Sequence, residues 1–145
     1  MRTSPAQIWA RLIGWTLVLA GIVGFFYSSA FGSPGKVDAV LGVLDVNGFH
    51  NLVHIATGLL GIVAAGTFER ARAYAILLAV AYTGVAIWGF VLGDGGAILS
   101  ILPVNTEDNV LHAFIALVSL VVGFGQSSVP APSAHESTAR GFRYN

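Results

Sequence analysis

The stretch Val46-Asn47-Gly48-Phe49-His50-Asn51-Leu52-Val53-His54 is answered 58 positions later by Val104-Asn105-Thr106-Glu107-Asp108-Asn109-Val110-Leu111-His112. Both copies share the register V-N-x3-N-x2-H, and each opens a long apolar run. Aligning 41–66 with 99–124 also pairs Leu41 with Leu99, Leu44 with Leu102, Leu59 with Leu117 and Val63 with Val121. The chain thus divides into two similar halves that carry the same three polar side chains at matching positions. The pattern says much about architecture and little about activity.

Working outward, hydrophobic residues make up 55% of the 145 and charged residues only 10%, with a mean hydropathy of +0.77. A soluble domain of this size exposes too large a share of its area to hide that much apolar surface. Crossing a bilayer takes roughly 20 residues at a rise of about 1.5 Å each. Four segments qualify, at 12–31, 48–66, 73–93 and about 106–125, and only the last contains acidic residues, Glu107 and Asp108 at its start. The expected fold is an all-α integral membrane four-helix bundle over 1–125, followed by a disordered cytoplasmic tail over 126–145 that is rich in Ser, Pro, Ala and Gly.

Each half reads as membrane helix, glycine-rich turn, short apolar segment and Asn-started membrane helix. The turns are Gly32-Ser33-Pro34-Gly35 and Gly93-Asp94-Gly95-Gly96. The short segments, 37–44 and 97–102, cannot span and are expected to lie at the interface as half-buried helices or re-entrant turns. Two spans per half give both halves one orientation, a parallel repeat of helical hairpins. Arg2, Arg11, Arg70, Arg72, Arg140 and Arg143 flank one side, and Asp38, Asp45, Asp94, Glu107 and Asp108 the other, with Lys36 alone among them. The positive-inside rule then puts both termini in the cytoplasm, at a bacterial plasma membrane, and the two Asn/His starts at the outer surface. Ser28-Ser29-Ala30 after an apolar stretch imitates a signal-peptide cleavage site, but the first helix has a counterpart in the second half.

Zero cysteines exclude disulfides and thiolate metal sites, and zero net charge argues against nucleic acid. The sequence has no phosphate-cradling glycine loop after a strand, nucleophile elbow, paired membrane carboxylates or HExxH, so enzyme activity is not expected. Asn47 and Asn105 follow a break and precede helices, which suits N-caps. Asn51 with His54, and Asn109 with His112, share helix faces that continue into small residues: Gly58, Gly61 and Ala65 in the first copy, and Ala116, Ser119 and Gly123 in the second. Helices 2 and 4 are expected to face each other, or helices 1 and 3, along those stripes.

Three readings compete for the cluster of His54, His112, Asn51 and Asn109. The first is a polar clamp, Asn amide to imidazole, worth about 0.6 kcal/mol per contact. The second is a cofactor site, with His54 and His112 ligating a haem or a metal ion and His50 and Asp108 adding ligands. The third is a proton or small-solute path. The leading expectation is a non-enzymatic membrane protein whose partners are the lipid bilayer and either further copies of itself or a larger membrane complex that it serves as an accessory subunit.

The stretch from Leu41 to Gly61, together with Leu102 to His112 and Trp88-Gly89-Phe90, resembles a family of small bacterial four-helix membrane proteins. That family is catalogued only as a domain of unknown function (number four-three-eight-three). The resemblance covers about residues 8–125. It implies the four-span fold and supplies neither substrate nor catalytic residues.

Overall fold

A computed structural model describes residues 3–33 and 37–125; the expected tail lies outside them. The chain is mostly helical: α1 (Pro5–Phe25), α2 (Gly48–Ala64), α3 (Phe68–Leu92) and α4 (Thr106–Phe124). Strands β1 (Asp38–Val40) and β2 (Leu44–Val46) precede α2, and β3 (Gly96–Ile98) and β4 (Leu102–Val104) precede α4. Helices α1, α3 and α4 are long and apolar enough to cross a membrane, and α2 is a shorter apolar helix of 17 residues. Their outward residues are apolar, among them Leu12, Leu60, Leu77, Val91 and Val121, all more than half exposed. Water is a poor solvent for such a surface, and lipid a good one.

The short segments before α2 and α4 are antiparallel hairpins rather than interfacial helices. Asp38 pairs with Val46 and Val40 with Leu44; Gly96 pairs with Val104 and Ile98 with Leu102. Three-residue strands are too short to display a period of two, so the sequence offers only an apolar stretch with a break. Each hairpin turns through left-handed residues, Leu41 and Gly42 in the first and Leu99 and Ser100 in the second.

The helix ends depart from the expected spans for local reasons. Helix α1 starts at Pro5 because Ser4 and Gln7 form a capping box. It stops at Phe25, ahead of residue 31, because the following segment bonds to the start of α2. The Ser28 carbonyl accepts from Asn51 Nδ2 at 2.8 Å, and the Ala30 carbonyl from the Gly48 N–H at 2.8 Å. Helix α3 begins at a Thr67 cap, so Glu69, Arg70 and Arg72 lie inside its first turns.

Packing is close between α1 and α2 and between α3 and α4, with α1 against α3 joining the two pairs. The stripes of small residues therefore face α1 and α3. A Cβ on Gly58 would sit 2.5 Å from the Gly14 carbonyl oxygen, and one on Gly123 would sit 2.8 Å from Ile76. Such contacts let backbones approach where lipid supplies no hydrophobic drive for helix association. Gln7 Nε2 donates to the Ala65 carbonyl at 3.2 Å, and Arg72 Nε to the Gly123 carbonyl at 2.9 Å. Each bond occupies an orphan carbonyl at a helix C-terminus.

Candidate functional site

Asn47 and Asn105 are the N-caps of α2 and α4, accepting from the His50 N–H at 2.9 Å and the Asp108 N–H at 2.8 Å. Their amide nitrogens reach across to the opposite hairpin. Asn47 Nδ2 donates to the Ile101 carbonyl and Asn105 Nδ2 to the Val43 carbonyl, each at 2.6 Å. These crossings hold the hairpins together and fix where the first turns of α2 and α4 stand. A third crossing has no twin: the Asp45 N–H donates to Asp108 Oδ2 at 3.0 Å. The position related to Asp45 is Pro103, which has no N–H to give.

On this frame three imidazoles meet. His50 and His54 stand one turn apart on α2, and His112 comes from α4. One ring nitrogen of each lies within 4.8 Å of the others, and His50 Nε2 and His54 Nε2 are 3.2 Å apart. Ring centroids are separated by 4.5 Å for His50 and His54, 6.1 Å for His50 and His112, and 6.4 Å for His54 and His112. Tyr82 of α3 sets its ring edge-on to His112 at 5.2 Å. His50 and His112 are buried and His54 half-buried. The His50 ring faces the backbone carbonyls of Asp45 and Pro103, although its Nδ1 makes no geometrically complete hydrogen bond. His112 Nδ1 is likewise buried without a partner.

The two other expected site residues go elsewhere. Asn51 and Asn109 are fully buried, and each packs its amide onto a glycine of the preceding helix. A Cβ on Gly24 would lie 2.0 Å from Asn51 Oδ1, and one on Gly89 would lie 1.8 Å from Asn109 Oδ1. Asn51 donates to Ser28, while neither amide atom of Asn109 has a partner. The expected clamp, Asn amide to imidazole, is not formed. Residues three apart on a helix diverge by about 60°, enough here to send the Asn to the preceding helix and the His to the trio.

His50 is the residue whose weight the sequence understates. Its signal is His50-x3-His54, a spacing that stacks two imidazoles on one helical face.

Two cavities adjoin the trio. One of about 60 Å³ lies beside Tyr82, Pro103 and Val104. A second, of about 310 Å³, runs between α1 and α4 and also touches Asp108. Beside the β-hairpins, partial burial and then the charges of Asp94 and Glu107 hold the Asp45 carboxyl above its ordinary value of 3.8, against a lowering hydrogen bond from Asn105.

No curated protein and no solved structure matches the chain. The family model described as Domain of unknown function (DUF4383) matches residues 7–125. That span takes in both hairpins, the three histidines and both asparagine–glycine contacts, and the chain belongs to that family.

Proposed function

We propose that this is a metal-binding membrane protein, built as two parallel helical hairpins with both termini cytoplasmic, that holds one transition-metal ion on His50, His54 and His112. The observation that carries the reading is the convergence of three imidazole nitrogens within 4.8 Å. Metal–nitrogen distances of about 2.0–2.1 Å put two nitrogens on one tetrahedral ion about 3.3 Å apart. The 3.2 Å between His50 and His54 meets that spacing, and a small movement of His112 completes it. Three imidazoles and no thiolate suit zinc, copper, iron or nickel, and leave a fourth position open. The carbonyls of Asp45 and Pro103 stand near the His50 ring, and a small rotation would bring one to the unpartnered Nδ1 as the outer acceptor that a ligating imidazole uses.

Haem fits less well. Bis-histidine ligation needs two imidazoles facing across a flat macrocycle, whereas His50 closes on both His54 and His112. An accessory or self-assembling role remains a separate proposal, compatible with the same site, and cross-linking in native membranes tests it.

The direct test is elemental analysis of detergent-purified protein together with a cobalt titration followed by visible absorption. The expected result is one ion per chain, lost in each of His50→Ala, His54→Ala and His112→Ala. Wild-type protein that retains no metal and develops no cobalt bands refutes the proposal.

A further inference from the structure

The cavity of about 310 Å³ is an elongated slot. Its α1 wall runs from Trp9 to Val23, a rise of about 21 Å at 1.5 Å per residue. Its polar groups are distributed unevenly. The Thr16 hydroxyl is spent on its own helix, donating to the Leu12 carbonyl at 2.9 Å. The Trp9 indole N–H donates to Ser119 Oγ at 3.0 Å and closes the opposite end. The remaining polar side chains on the wall are the three histidines and Asp108, all at the end where α2 and α4 begin. Everything between is aliphatic or aromatic. Val23, Leu111 and Phe114 on the walls are each about two-fifths exposed or more, so the slot opens sideways, toward the acyl chains.

We infer that the slot binds a single-chain amphiphile with an oxygen head group drawn from the bilayer, with the head against the three histidines and Asp108 and the chain lying toward Trp9. This deepens the proposed metal site and rests on it for the head's full binding partner: the open position on the ion would take the oxygen. Walls that are aliphatic or aromatic over this length suit an alkyl chain better than water. The lateral opening and the apolar walls speak against a water-filled solute path through the same space.

Trp9 is a built-in reporter. With Trp15→Phe and Trp88→Phe, both at exposed positions, it is the one remaining indole of three. A dodecanol brominated at its last two carbons should quench Trp9 saturably in detergent. Unlabelled dodecanol or a decyl benzoquinone should restore the fluorescence, and whichever competes better names the head. Ala20→Phe, which places a ring in the slot from an exposed position of α1, should abolish saturation. The inference is overturned by quenching that rises linearly with detergent partition, that excess unlabelled dodecanol does not reverse, or that Ala20→Phe leaves unchanged. The cobalt spectrum separates the two ideas. Cobalt bands without saturable quenching sink the slot and leave the metal site. Saturable quenching without cobalt bands sinks the metal site and leaves a lipid slot whose head bonds to the imidazoles themselves.

Discussion

The entries to α2 and α4 make one crossing in duplicate and another only once. Asn47 and Asn105 exchange equivalent bonds to Ile101 and Val43, positions that correspond in the two halves. Asp45 gives its N–H to Asp108, but the corresponding Pro103 has none to give, and the residue standing where Asp108 does is His50. A carboxylate is required where there is a donor to receive. Where proline removes the donor, the position is released, and an imidazole fills it and joins His54 and His112. The lesson is that the shared bonds set the frame and the unshared pair makes the site.

Restoring the symmetry is the strongest way to break that contrast. His50→Asp with Pro103→Ala should rebuild the missing crossing, keep the fold and weaken metal binding by more than about 100-fold, since losing a ligand costs at least as much as losing an outer-shell partner. Isothermal titration with zinc measures it; unchanged affinity would show that His50 is not a ligand.

The two asparagine–glycine contacts sharpen the comparison next. Gly24→Ala and Gly89→Ala each drive a methyl into an amide, an overpacking cost of about 1–3 kcal/mol. Gly24→Ala should cost more, because Asn51 is pinned to the Ser28 carbonyl while the Asn109 amide is unbonded and can rotate away. Melting curves in one detergent decide the order.

Smaller effects belong to the hairpins. Ser100 occupies the left-handed turn position that Gly42 fills in the first hairpin. Ser100→Gly should raise stability by up to about 1 kcal/mol, and Gly42→Ser should lower it, by relief or imposition of the same strain. The least effect is expected at Asp45. Its carboxyl keeps its proton to higher pH in the native chain than in the unfolded one, so its contribution to stability falls as pH climbs from 3.8 through the native value. Asp45→Asn should therefore raise the melting temperature near pH 7 and leave it unchanged below about pH 3; a gain of equal size at both would assign the effect to something other than charge.

Much of this frame is legible in the chain. The helices announce themselves by apolar length, and the caps by Asn47 and Asn105 placed just after a break. The glycine stripes predict close packing, and α1 and α3, rather than each other, prove to be what α2 and α4 press against. The hairpins are hidden because three residues per strand display no alternation. The trio is half visible: His54 and His112 stand out by recurrence, which is the wrong filter for His50, a residue distinguished by differing from its counterpart. The asparagines mislead for the opposite reason. Their recurrence marks a repeated packing device at Gly24 and Gly89, not a shared centre.

Gln7 anchors the start of α1 to the end of α2, so the first helical pair has its own closure before later residues emerge from the ribosome, which builds proteins from the N-terminus. That nascent half already carries His50 and His54, while its Asn47 amide has no Ile101 to meet and its imidazoles no third member. The histidine trio is therefore the last thing the chain completes, available only once α4 has joined the first helical pair and brought His112 to His50 and His54.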